Sequence, residues 1–198
     1  MNKRLAVLVF AVVAALPLFA GGEQDPAAPF NDHELVAVHR IHLREVVRIG
    51  VPADNAPFSY VDAKGVWRGY DVSFARRIAK EILDNKEKYL RLVPVTRENW
   101  ADYLENDQAD IVLGFGPGPE HAAPAADFAL PYRKAGEARI APAVRKGNGE
   151  LRLWLNDVIT RRIEDDFFHQ TYEETLRPVY GNTVEPETVV IERGGREP

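Results

Sequence analysis

The chain has 198 residues, a formal net charge of −5 and no cysteine. This length suits one ordinary domain, and the absence of cysteine excludes disulfides, thiolate catalysis and a lipid-modified N-terminal cysteine. The acidic balance argues against a surface that binds nucleic acid or anionic membranes. Nucleic acid is therefore excluded as a partner.

The first residues have the pattern of a secretory signal peptide. Lys3 and Arg4 precede an apolar run, Leu5 to Leu16, that is too short to span a bilayer comfortably. Ala20 fits the last position of a cleaved segment loosely, so residues 1–20 are the predicted signal peptide and the periplasm is the predicted location. Cleavage would lower the net charge from −5 to −7, because two basic and no acidic residues are removed. The alternative is an uncleaved membrane anchor.

Residues 21–44 are predicted to form an N-terminal leader, because Gly, Pro and Ala in its first part bury little surface. The apolar run 46–51 is typical of a strand. The turn signal 62–65 lies between two strand-like stretches, which predicts a hairpin. Asp71 is the predicted N-cap of a helix with an apolar face at the helical period. That face comprises Phe74, Ala75, Ile78, Ile82 and Leu83.

Residues 89–95 and 110–114 are two further predicted strands, and Thr96 is predicted to cap a helix between them. Helices that alternate with apolar strands predict an α/β fold with a largely parallel sheet flanked by helices. In such sheets, ligands bind at the carboxyl ends of the strands. The loops after Val51 and Leu113 are therefore the predicted binding edge.

The C-terminal part continues with a single predicted strand over 138–144, followed by a long and a shorter helix. Pro178 and Gly181 are predicted to end the second helix. Residues 182–198 then form a predicted extended tail.

The loop LGFGPGPEHAA, residues 113–123, is the most unusual segment of the binding edge. A phosphate cradle needs free backbone N–H groups at a helix N-terminus, and Pro117 and Pro119 each remove one. The glycine spacing also differs from G-x-G-x-x-G. A metal site would have only Glu120 beside His121. The two remaining interpretations are an ordinary tight turn in an eroded site and a changed site that still binds a ligand.

Catalytic chemistry has little support in the sequence. Ser59 and Ser73 are the two serines, and neither lies in a G-x-S-x-G turn. The sequence therefore predicts no enzyme, no cofactor and no metal.

Several motifs, in order, resemble the family 3 solute-binding proteins, the periplasmic receptors of polar amino-acid ABC transporters. The segment VRIGVPADNAPFSYVDAKGVWRGYDVSFARRIAKEI resembles the opening of that family, and QADIVLG and ADFALPY continue its pattern over about residues 46–133. The later segment APAVRKGNGELRLWLNDVI resembles the return of the chain into the first lobe. The resemblance implies a lobe of the type II periplasmic-binding-protein fold and a small polar solute, such as an amino acid, as ligand. It also implies an ABC permease as partner.

The second lobe of that family is missing from this sequence. After the DF-x-x-PY turn the chain runs through Gly136 directly into the predicted return strand. A domain needs at least about 50 residues, and no segment of that length is available there. We therefore expect one lobe over residues 45–181, with the second lobe deleted near residue 136.

The resemblance also implies a ligand site. In the family, the loop after Leu113 holds the α-carboxylate of the ligand with hydroxyls, backbone N–H groups and an arginine. The arginine position falls on Ala122, or on His121 after a shift of one residue, and histidine meets a carboxylate mainly when protonated. Phe58 and Asp71 match the family pattern, and packing and helix capping explain them. The predicted ligand-binding residues are Asn55, Phe58, Arg97, Trp100, Gly114, Phe115, Gly116 and His121.

Two functions follow as hypotheses. The first is a solute-binding protein of the amino-acid transporter class, reduced to one lobe, with weak or lost ligand binding. The second is a periplasmic interaction module that uses the former cleft. Without a second lobe, Phe115, Trp100 and Phe58 are expected to face water, and an exposed apolar patch marks a partner site. A homodimer is one way to cover it.

Overall fold

The computed structural model describes residues 37–84, 89–117 and 126–191. The predicted signal peptide, His121 and the rest of the segment 118–125 lie outside these residues. In chain order, the elements are α1 Ala37–Arg44, β1 Val47–Val51, β2 Asp54–Asn55, β3 Ser59–Val61, β4 Trp67–Arg68, α2 Tyr70–Ile82, β5 Leu90–Pro94, α3 Trp100–Glu105, β6 Ile111–Val112, β7 Ala126–Phe128, β8 Arg133–Ala135, β9 Ala138–Ile140, β10 Ala143–Arg145, α4 Gly149–Glu164, α5 Phe167–Thr175, α6 Arg177–Tyr180 and a 3₁₀ turn, Pro186–Thr188. None of these helices is both long and apolar enough to cross a lipid bilayer.

The central sheet has five strands in the order β5–β1–β6–β10–β7. β1 is parallel to β5 and β6, and β10 is antiparallel to β6 and β7. The predicted α/β fold with a largely parallel sheet is confirmed, with β10 as the reversed strand. The predicted hairpin is β3–β4, and β2 extends it to three strands.

The two faces of the sheet bury separate apolar clusters, because successive strand side chains point to opposite faces. The larger cluster packs Ile49 and Ile111 against α2, α4 and α5. The smaller cluster places Val112 beside Trp100 and Leu104 of α3. α2 belongs to the larger cluster because its predicted apolar residues are all buried. These clusters hold the carboxyl ends of β1 and β6 side by side.

The single strand predicted over 138–144 is wrong. The structure divides it into β9, which pairs with β8, and β10, which joins the central sheet. Pro142 lies between them and has no N–H for a strand ladder. Its carbonyl instead accepts a hydrogen bond from the Ala129 N–H at 2.9 Å. The chain therefore changes sheets at this proline.

Both ends of the lobe extend beyond the predicted boundaries. Part of the predicted leader forms α1, which buries Ala37 and Ile41 against the larger core cluster. The predicted extended tail contains a 3₁₀ turn and buries Val190, which bridges to Arg133 of β8. Apolar side chains at helical spacing explain the first difference. Contact with β8, which is distant in the sequence, explains the second.

Three predicted helix ends also differ. Gly69, not Asp71, occupies the N-cap position of α2, and the Asp71 side chain lies within the first turn. Asn99, not Thr96, precedes α3. Pro178 lies in the first turn of α6, where a missing N–H costs nothing, instead of ending the preceding helix.

Candidate functional site

The candidate site is the edge of the sheet where β1 and β6 end. Pro52 follows β1 and Gly114 follows β6. Gly114 has a φ of 93°, and a Cβ atom built there would lie 2.9 Å from Pro52 Cδ. This close approach of the two loops requires glycine. The predicted binding edge is therefore a tightly packed meeting of two loops.

A buried ion pair lies directly behind this edge. Arg133 Nε is 2.7 Å from Asp71 Oδ1, and Arg133 Nη2 is 2.9 Å from Asp71 Oδ2. The side chains are 2% and 0% exposed. The Arg133 guanidinium also lies 4.2 Å from the centre of the Phe58 ring, in cation–π contact. Because the Arg133 guanidinium and the Asp71 carboxylate form two parallel hydrogen bonds, neither charge is left uncompensated.

Tyr132 connects this ion pair to the loop after β6. Its hydroxyl accepts a hydrogen bond from the Gly114 N–H at 3.1 Å and is hydrogen-bonded to Asp71. Burial raises the pKa of Tyr132, and the Asp71 charge raises it further. Burial by itself lowers the pKa of Arg133, but Asp71 and Tyr132 outweigh it and the pKa is raised. Arg133 thus stays charged, and Tyr132 stays protonated as a donor to Asp71.

Tyr70, the first residue of α2, is a further buried tyrosine, and its effect on stability at high pH can be tested. Burial raises its pKa above the ordinary value of 10.0. A raised native pKa stabilises the fold below the unfolded-state pKa, and this stabilisation is lost as pH rises above about 10. We expect Tyr70→Phe to reduce the loss of stability above pH 10 by up to about 1.4 kcal/mol per pH unit. Urea unfolding from pH 7 to 11 measures this, and an unchanged pH dependence in the variant would contradict it.

Trp100 and Phe115 do not face water, so that expectation is wrong. They are 3% and 6% exposed, and their rings stack with centroids 5.6 Å apart. Phe128 of β7 packs beside Trp100. They are buried together with Val95, Val112 and Ala143 in the smaller core cluster. Phe58 is half-buried beneath Arg133.

The other predicted ligand-binding residues lie apart from one another. Asn55 is half-buried in β2, where its carbonyl accepts a hydrogen bond from the Phe58 N–H. Arg97 is exposed in the turn before α3. Gly116 is buried against β9: a Cβ atom there would lie 2.1 Å from the Arg139 carbonyl oxygen. His121 lies outside the described residues. The structure thus brings Gly114 and Phe58 to one network, Gly114 through Tyr132 and Phe58 through Arg133.

A tight hairpin occupies the place where the sequence predicts the missing lobe. β8 and β9 pair antiparallel from Arg133↔Ile140 to Ala135↔Ala138, so two residues, Gly136 and Glu137, connect them. Gly136 has a φ of 60°, which glycine adopts without strain. The two strands that leave and re-enter the lobe therefore join directly.

Arg133 is the residue that sequence reasoning missed. From the sequence, residues 131–136 are only a direct connection into the predicted return strand, and Arg133 has no predicted role. Asp71 did not point to it, because the sequence pattern predicts a helix-capping role for that aspartate. The partner lies 62 positions away, so only the fold brings the two charges together.

The described residues contain no group of three His, Asp or Glu side chains that could hold a metal ion. Among the described residues close to the start of the loop after β6, Asp71 and Arg133 pair with each other.

Several solved structures are similar to this chain, and their names describe proteins that bind cysteine or arginine. A cysteine-binding protein from Campylobacter jejuni is 25% identical with a TM-score of 0.74, and the match covers 80% of this chain and 100% of that one. A solute receptor for L-cysteine of Neisseria gonorrhoeae is 26% identical with a TM-score of 0.72, covering 78% and 99%. The arginine-bound form of domain 1 from TmArgBP is 28% identical with a TM-score of 0.55, covering 61% and 96%.

No curated protein sequence matches the chain significantly. The profile of the bacterial extracellular solute-binding proteins, family 3, matches residues 47–177. That span begins at β1 and ends in α6, so it includes the whole central sheet and the β8–β9 hairpin. The chain belongs to the bacterial extracellular solute-binding proteins, family 3.

Proposed function

We propose that this protein is the amino-acid receptor of a polar amino-acid ABC uptake system, reduced to one lobe. The observation that carries the proposal is the family match from β1 to α6. The two-residue β8–β9 connection supports the single lobe, because it joins the crossing strands without room for a second domain between them. An exported, periplasmic location and an ABC permease as partner belong to the same proposal.

The relative with bound arginine supports ligand binding by a single lobe. That structure contains domain 1 of TmArgBP in an arginine-bound form, and this chain has a lobe of the same kind. One lobe encloses less of a ligand than two, and enclosure supplies most of the buried area in such pockets. We therefore propose that binding persists here but is weak.

The proposed contacts divide between the described edge and the loop that follows it. Asp71 and Arg133 neutralise each other and are buried, so they shape the floor of the site and do not bind the ligand. Recognition of a carboxylate then falls to His121 and the backbone of its loop, with Asn55 and Arg97 at the margin. These assignments remain predictions.

The second hypothesis, a self-associating module, loses its main argument. Trp100 and Phe115 contribute almost no exposed apolar surface, and Arg133 covers one face of Phe58. The homodimer stays a prediction. The interpretation as a binding protein without catalytic activity also stays a prediction.

A thermal-shift screen of the purified protein against the common amino acids at millimolar concentration tests the proposal. A ligand that binds only the folded state raises its stability by RT ln(1 + [L]/Kd), which is about 2.7 kcal/mol at a hundredfold excess over Kd. We expect a concentration-dependent shift with one chemical class, with L-cysteine and L-arginine as the first candidates. His121→Ala should abolish the shift.

The matched control is Arg152→Gln, which removes a charge from α4, far along the chain from the predicted site. It should leave the shift unchanged. A protein that melts cooperatively and responds to no amino acid would contradict the proposed function.

A further inference from the structure

A second cavity lies at the opposite edge of the central sheet, where β1 and β5 begin. Its volume is about 380 Å³, and it is lined by Arg48, Arg91, Val93, Tyr103, Asp107 and Gln108. Arg48 is the second residue of β1 and Arg91 the second residue of β5. Gly114 follows the far end of the neighbouring strand, β6. The cavity is therefore separate from the site at the carboxyl edge.

A row of charged residues crosses four strands at this level of the sheet. Arg48 and Arg91 are direct partners in the parallel register of β1 and β5. Asp110 continues the row next to β6, where its N–H donates to the Arg48 carbonyl. Arg145 of β10 follows beside Asp110, one position past the Val144↔Ile111 pair. Side chains in register point to one face, and the backbones of adjacent strands are about 5 Å apart, so the two arginines are neighbours on that face.

In this region, Asp110 and Asp107 each already pair with two arginines. Asp110 accepts from Arg48 Nη2 at 2.9 Å and also pairs with Arg44. Asp107 pairs with Arg145 at 2.9 Å and with Arg40 at 3.9 Å.

Among the described residues, Arg91 has no carboxylate partner. Like charges on neighbouring strands destabilise a sheet; Asp110 compensates the charge of Arg48, so Arg91 is the arginine that lacks compensation among the described residues. An anion in the cavity would supply that compensation.

The lining indicates an organic anion. Arginine guanidinium groups present a planar fork that matches carboxylate oxygens, and Gln108 and Tyr103 carry further hydrogen-bonding groups. Val93 and the Tyr103 ring give the cavity an apolar surface, which suits the carbon skeleton of an organic ligand. The volume falls within the range of small-molecule sites, about 300–1,000 Å³.

We propose that this cavity binds a small organic carboxylate, with Arg91 holding the carboxylate group. The site is independent of amino-acid binding at the carboxyl edge, so either can fail without the other. Asp107 would limit the cavity to ligands with one anionic end directed at Arg91, because a second negative group near it would be repelled.

Titration with succinate monomethyl ester, which carries one carboxylate, tests the site by ¹H–¹⁵N NMR of the purified protein at low salt. We expect saturable shifts at the amides of Arg91, Val93 and Gln108. Arg91→Gln should weaken binding at least tenfold, since it removes a charge-assisted contact. Arg91 is exposed on the edge strand, so the variant keeps the core intact. Arg152→Gln is the matched control and should bind like the wild type.

Three results would overturn the proposal. One is the absence of saturable shifts beyond those that sodium chloride causes at equal ionic strength. Another is wild-type affinity in Arg91→Gln. The third is equal binding of inorganic phosphate, because an organic ligand would then have no role.

Discussion

Replacing Arg133 by methionine is expected to lower the free energy of unfolding by about 3–5 kcal/mol. The substitution keeps most of the volume of the side chain but leaves the Asp71 carboxylate buried without its bidentate partner. It also removes the cation–π contact with Phe58. Urea unfolding at neutral pH, monitored by tryptophan fluorescence, measures the change.

A double variant separates the destabilisation caused by an unpaired buried charge from the net contribution of the ion pair to the free energy of unfolding. Arg133→Met combined with Asp71→Leu removes both charges and should recover most of the loss, because apolar replacement of a buried pair is often neutral. Arg161→Gln is a control at an exposed ion pair with Glu81, where a change of at most about 1 kcal/mol is expected. Equal effects in Arg133→Met and Arg161→Gln would contradict the importance of burial.

Gly116→Ala is expected to lower the free energy of unfolding by about 3 kcal/mol. The new methyl carbon would lie 2.1 Å from the Arg139 carbonyl oxygen, a backbone atom of β9. The two segments cannot separate freely, because the Ala141 N–H donates to the Phe115 carbonyl at 3.0 Å. Either this hydrogen bond or the start of the loop after β6 must therefore shift.

The control for Gly116 is Gly149→Ala at the first residue of α4. No atom lies within 4 Å of a Cβ built there, so alanine should be neutral or stabilise by about 0.5 kcal/mol. Thermal and urea unfolding of the two variants give the comparison. If both alanines were tolerated equally, the close contact between the loop and β9 would not exist in solution.

These two expectations concern the same region, the floor of the predicted ligand site. The Asp71–Arg133 pair and the contact between Gly116 and β9 make this floor rigid. Under the proposed function, a receptor reduced to one lobe has no second lobe to clamp the ligand, so binding depends on a preformed surface. Variants at Arg133 and Gly116 should therefore weaken amino-acid binding beyond their effect on stability, and the thermal-shift response per unit of ligand measures that difference.

Local patterns in the sequence determined the fold class, and the structure confirms it. Alternating apolar strands and amphipathic helices place β1, α2, β5, α3 and β6 in the predicted order, because strand and helix periods depend on neighbouring residues only. The family motifs are also local, and they led to the family that the profile match confirms over residues 47–177. The sequence also predicted that the chain runs through Gly136 directly into the return strand.

The tertiary structure decided which side chains near that connection and in the adjacent core are buried and which of them pair. Arg133 became the buried partner of Asp71, and Trp100 and Phe115, which were expected to face water, became buried. Val190 joined β8 from the end of the chain. Each outcome depends on contacts between residues far apart in sequence, since burial and charge pairing arise only when the sheet and its helices assemble. Length, composition and periodicity carry no information about such contacts, which is why the burial of Trp100 and Phe115 was not predicted whereas the fold class was.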